Sequence, residues 1–177
     1  MALFCESISE FVNGERELNK PNLKYELGDR IYPIDLDVAP TISYDYLFLD
    51  PNHTHSFHND ELNEKTCEEI PDKSDYAIYF EKIKSFCKRP LGDSIDKVNY
   101  QEHIHVIPPN RKLKELLKLA SKKSSIENID LPQFGQFALY TNRGNSKAPR
   151  IFFFIGNYAI IYVLFYDPYH EIFPSTT

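Results

Sequence analysis

The chain has 177 residues, 42% of them apolar and 14% aromatic, with a formal net charge of −6. That length suits one domain, and that apolar content suits a packed core rather than a disordered chain. No apolar run reaches 18 residues, because Gly156-Asn157 interrupt the longest approach at 151–166, so no transmembrane helix is expected.

The opening residues, MALFCESISEFVNGERE, lack a basic start and read as a short helix over 3–18 rather than a secretory signal. Residues 19–30 read as loop, with Pro21 and Gly28-Asp29 as turn signals. In RIYPIDLDVAP (30–40), Ile34, Leu36 and Val38 alternate with Asp35 and Asp37, the period of a strand with one wet face. ISYDYLFLD (42–50) predicts a second strand, closed by Asp50-Pro51-Asn52. Residues 52–74 are polar and read as a long loop.

Over 75–89, Tyr76, Tyr79, Phe80, Ile83, Phe86 and Cys87 recur at spacings of three and four. That is an amphipathic helix, with Asp75 placed to cap it and Pro90 after its stop. HIHVI (103–107) predicts a short strand. Asn110 offers an N-cap for RKLKELLKLASKK, whose Leu113, Leu116, Leu117 and Ala120 form a buried stripe. Three further strands follow at 136–142, 150–155 and 158–166. The last two are joined by Gly156-Asn157, a strong hairpin signal. The fold expected is α+β: an antiparallel sheet ending in a three-strand meander, packed against two or three amphipathic helices.

Charge divides the chain. Residues 1–110 hold 11 Lys and Arg against 21 Asp and Glu, whereas 111–177 hold 9 against 5. The chain is therefore read as a single domain with an acidic part, 1–110, and a half made of a basic helix and a β-meander, 111–177. The three cysteines, Cys5, Cys67 and Cys87, have no paired spacing and fit reduced thiols in the cytoplasm.

Three constellations could carry chemistry. NHTHSFHND places His53, His55 and His58 in one loop, and clustered imidazoles are transition-metal ligands. Lys112, Lys114, Lys118, Lys122 and Lys147 make the second half a candidate polyanion surface, because clustered cations displace the counterions of nucleic acid. Finally, the last strand runs into YDPYHEIFP, where Tyr169 and His170 could move protons, since histidine titrates near neutrality.

From residue 111 onward the chain resembles the RelE/ParE/HigB superfamily of toxins from toxin–antitoxin modules. The resemblance lies in the order of a basic helix, FGQFALYTNRG, APRIFFFIGNYAIIYVLFY and a short polar end. It implies an RNA-cleaving toxin, or a gyrase-directed one. It also implies phosphate-binding roles for Arg143 and Arg150, and an acid–base role for Tyr169 or His170. RNA or ribosome-bound mRNA would be the substrate, and an antitoxin or another protein the partner. No cofactor and no membrane are expected. Two other readings remain open. One is a non-enzymatic protein-binding factor of phage or mobile-element origin that uses the acidic half. The other is a metal-dependent hydrolase built on the histidine loop.

Overall fold

The computed structural model describes residues 24–27, 30–95, 104–122, 132–142 and 147–174. The expected helix at 3–18 lies outside them.

Strands β1 (Lys24–Leu27) and β2 (Arg30–Pro33) pair as an antiparallel hairpin, where loop was expected before residue 30. β3 is only Thr41–Ser43. Helix α1 spans Asp75–Phe86 and α2 spans Leu91–Ile95. Then follow β4 (His105–Ile107), α3 (Arg111–Ser121), β5 (Gln133–Ala138), β6 (Arg150–Ile155) and β7 (Ile160–Asp167).

Five strands form one sheet in the order β3-β7-β6-β5-β4. The meander β5–β6–β7 is antiparallel, as expected, and β4 adds antiparallel to it. β3 adds parallel to β7, so the sheet is mixed. A parallel neighbour needs a long crossover. Here the crossover is everything between residues 44 and 159, helices included.

Strand alternation sorts the core into two layers. Ile151, Phe153 and Ile155 of β6 face α1 and α2, meeting Ile78, Tyr79, Ile83, Phe86, Leu91 and Ile95. Phe152 faces the other way, with Phe134, Phe165, Leu113 and Leu116 under α3. Burying each such aromatic or aliphatic side chain stabilises the fold by about 1.5–3 kcal/mol. Gly135 sits opposite Phe153, and a Cβ there would collide with the Phe153 ring, so the close approach requires glycine. A bulge lets β7 serve both layers. Phe152 pairs with Phe165 and Phe153 with Val163, which leaves Leu164 as the extra residue. Its carbonyl accepts instead from Phe48 N at 2.9 Å, tying the long loop to the strand.

α1 is capped by Ser74, whose side chain accepts from Ala77 N, not by Asp75. Phe80, expected on its buried stripe, is exposed. α3 starts as expected, with Asn110 Oδ1 accepting from Leu113 N at 2.8 Å. The β6–β7 turn is shifted: the left-handed residues are Tyr158 (φ 52°) and Ala159 (φ 60°) rather than Gly156-Asn157. Gly156 N donates to Ile160 O at 2.8 Å to close the turn. Among the described residues no helix is long and apolar enough to cross a membrane.

Candidate functional site

At the end of the sheet where β6 begins and β7 stops, Arg150 stands opposite Asp167 in register. Tyr166 and Asp167 are consecutive, so they face opposite layers. Two polar clusters result, one on each face.

On the α1 face, Asp75 is fully buried in the first turn of α1. Its Oδ1 accepts from Tyr140 Oη at 2.6 Å and its Oδ2 from Tyr166 Oη at 2.7 Å. Lys147 Nζ lies 3.4 Å from Oδ2 and 2.7 Å from Glu61 Oε2. Tyr169 Oη donates to Glu61 Oε1 at 2.6 Å. Tyr140 Oη also lies 2.7 Å from Thr66 Oγ1. Burial pushes the Asp75 carboxyl above its ordinary value, against the pull of the two tyrosines and Lys147. Hydrogen bonds from Lys147 and Tyr169 hold Glu61 below its own. Burial beside Asp75 pushes the Tyr140 and Tyr166 hydroxyls up.

On the α3 face, Asp167 is likewise fully buried. It accepts from Glu171 N at 3.0 Å and from Ile172 N at 2.7 Å, so one carboxylate folds the chain back over the sheet. His170 sits inside that turn at φ 55°. Ile172 plugs the second core layer, and its carbonyl accepts from Asn110 Nδ2 at 2.5 Å. Around the corner lie Arg150, His55, Glu171 and Lys112.

Arg150 is 8% exposed. Its Nη1 donates to the carbonyls of Tyr140 (3.2 Å), Ala148 (3.0 Å) and Pro149 (3.2 Å). All the hydrogen bonds it makes to described residues run through that one nitrogen. The guanidinium is thus locked in orientation while Nε and Nη2 keep their donors. Half-buried His170 bonds the Phe173 backbone, and its Nε2 is buried without a hydrogen-bond partner. With Nδ1–H turned to the Phe173 backbone, the Nε2 lone pair is left unpartnered and closed to solvent. Desolvation, and next the Arg150 charge, lower the His170 pKa and so favour the neutral ring.

His55 is buried with Nδ1 3.7 Å from Asp167 Oδ1, beyond hydrogen-bond reach. Desolvation lowers its pKa despite Asp167. On its far side Nε2 lies 4.0 Å from Glu171 Oε2, the oxygen that Lys112 Nζ holds at 3.0 Å.

Of the residues expected to carry function, Arg150, His170, Lys112 and His55 therefore gather around Asp167. Tyr169 does not join its neighbour His170; it reaches the opposite cluster. Lys147, expected on a basic surface, is 6% exposed and spent on Glu61 and Asp75. Lys114 and Lys118 are half-buried along α3, and Lys122 is its left-handed cap residue. Arg143 lies outside the described residues. His53 packs edge-on against Phe48, its Nδ1 accepting from His55 N, and His58 is exposed. Among the described residues no group of three or more His, Cys, Asp or Glu side chains is arranged to hold a metal. Cys67 and Cys87 are free thiols, and burial raises the pKa of Cys87.

Sequence reasoning read Asp167 as a turn residue and Asp75 as a helix cap, and so missed both as the hubs of the two clusters. One signal was present: adjacent Tyr166 and Asp167 at a strand end must serve opposite faces. Comparison with protein-family models, curated proteins and solved structures finds no match to this chain.

Proposed function

We propose that this protein cleaves RNA without a metal ion, with Arg150 and His170 as its central pair. One observation carries the reading: an unpartnered His170 Nε2 stands in the field of a guanidinium whose orientation is already fixed. Buried polar atoms are nearly always hydrogen-bonded, so an exception calls for an explanation, and a catalytic role is one such explanation. The resemblance to RelE-type toxins assigns chemistry to the same two residues.

The chemistry follows from the donors. His170 Nε2 is closed to solvent in this structure, so the bound strand must first displace the turn that covers it; Nε2 then takes the proton of a ribose 2′-hydroxyl, and that oxygen attacks the adjacent phosphorus. Arg150, through Nε and Nη2, stabilises the charge that grows on the non-bridging oxygens. The bond to the 5′-oxygen breaks, and that oxygen takes a proton from water. The products are a 2′,3′-cyclic phosphate and a 5′-hydroxyl. Tyr169, on the other face and bonded to Glu61, has no part in this scheme.

The test is incubation of purified protein with a short RNA in the presence of a chelator, followed by end-group analysis. Wild type is expected to leave cyclic phosphate ends, and His170→Asn and Arg150→Ala to lose at least about a hundredfold in rate. Intact RNA with wild type, or equal cleavage by all three, would refute the reading.

A second reading rests on a different surface. Asp60, Glu64, Glu68, Glu69 and Asp72 are all exposed along the loop before α1. A basic protein partner, such as an antitoxin, fits that surface by charge. Reversing Glu64 and Glu69 to Lys should then weaken capture of such a partner from the native host; unchanged capture would count against it.

A further inference from the structure

Glu171 turns its carboxylate toward Lys112 and the edge of His55. Lys112 Nζ lies 3.0 Å from Oε2, and His55 Nε2 lies 4.0 Å from the same oxygen. Lys112 belongs to the first turn of α3, where the helix dipole favours negative charge. His55 is 4% exposed; its unpartnered Nδ1 faces Asp167 Oδ1 at 3.7 Å, which turns the Nε2 edge toward Glu171. A single carboxylate oxygen is therefore shared between a buried imidazole edge and a lysine at a helix start. A simple surface bridge has no such buried wall.

The bridge itself is weak. Its lysine and glutamate side chains are 40% and 51% exposed. Pairs of that exposure shift an equilibrium by no more than about fivefold. The backbone of Glu171 is anchored separately, its N–H donating to Asp167 Oδ1. The side chain can thus rotate away while the turn that carries His170 stays in place.

We propose that Lys112 and His55 form a binding site for a phosphate group, and that Glu171 is its internal competitor. A phosphate oxygen would take the place of Glu171 Oε2, accepting from Lys112 Nζ and from His55 Nε2 when that nitrogen carries a proton. This rests on the RNA-cleaving reading and extends it. The site takes a second phosphate of the strand, beside the one held at Arg150; Arg150 pairs with Asp167 in register and His55 Nδ1 lies 3.7 Å from Asp167 Oδ1.

The experiment titrates the full chain with inorganic phosphate and, separately, with a dinucleoside monophosphate, following the ring resonances of His55. The first ligand reports a free phosphate, the second a diester. Wild type should bind weakly. Glu171→Gln should bind about two- to fivefold tighter, because the competitor's charge is gone. Lys112→Gln should bind at least about tenfold more weakly. Both residues are substantially exposed, so both variants should fold, and a melting curve checks this. A preference for the diester over inorganic phosphate identifies the strand as the natural ligand; the reverse preference identifies free phosphate. Equal affinity in wild type and Glu171→Gln, or His55 resonances that do not move, overturns the site. The two proposals fail separately. Phosphate bound in this way with RNA left intact refutes the cleavage reading alone. RNA cleaved while phosphate is ignored refutes this site alone.

Discussion

The two polar clusters at the end of β7 are built from similar residues and come out opposite. On the α1 face, both Asp75 oxygens accept tyrosine hydroxyls, and Lys147 bridges Asp75 to Glu61. On the α3 face, Asp167 binds backbone amides, while His55 Nδ1 and His170 Nε2 are left without hydrogen bonds. A satisfied buried network joins elements and is costly to break; a partly satisfied one is costly to keep and calls for an explanation. The first cluster fastens α1 and the loop before it to the sheet. The second leaves two buried imidazole nitrogens unpartnered, and the proposed chemistry rests on one of them.

The largest expected effect breaks the first cluster. Asp75→Ala leaves Lys147 and two tyrosine hydroxyls facing an uncompensated pocket, and should cost about 3–5 kcal/mol in urea unfolding. His170→Asn, on the other face, should change stability by less than about 1 kcal/mol, since Asn tolerates the left-handed φ of 55°. Comparable losses from both would erase the distinction. Next in size is Tyr166→Phe, which removes one donor to a buried carboxylate and should cost about 1.5–3 kcal/mol by the same measurement.

A pH effect separates the faces in another way. His55 and His170 both have folded pKa values below the ordinary 6.5. The unfolded chain therefore takes up their protons first. Stability should be full above pH 6.5 and fall as pH drops from there toward the depressed folded values. His170→Asn should flatten that slope. Glu61, whose folded pKa lies below 4.5, contributes stability that is lost only at still lower pH. Unfolding midpoints measured from pH 7.5 to 5 decide it; an unchanged slope in the variant would place the proton uptake elsewhere. The smallest expected effect is Tyr169→Phe, which removes a partly exposed hydrogen bond to Glu61 and should cost about 0.5 kcal/mol or less.

Local patterns in the chain were legible where local physics decides. The strand at 150–155 and the cap at Asn110 appear as the residues predict. The stretch at 42–50 shrinks to β3 because Ser43 and Asp45 bond one another: Asp45 N donates to Ser43 Oγ, and Ser43 Oγ to Asp45 Oδ2. Such local side-chain bonds compete with a strand ladder. The alternating 34–38 segment gives its Leu36 and Val38 carbonyls to the amides of Gly92 and Leu91 at the start of α2, not to a neighbouring strand. Neither partner can be read from the segment itself. The site divides likewise. Arg150 and His170 stood out by residue type and lie where the chain reverses. Lys147 looked like a surface cation because its acidic partners, Glu61 and Asp75, come from distant loop and helix.

The most direct test of the central claim is nitrogen-15 NMR of the His170 ring in the wild-type chain across pH 5 to 8. A neutral ring at pH 7 with its proton on Nδ1 and a free Nε2, titrating below 6.5, is the predicted result. A ring protonated on Nε2, or charged at pH 7, would contradict it and remove the base from the proposed reaction.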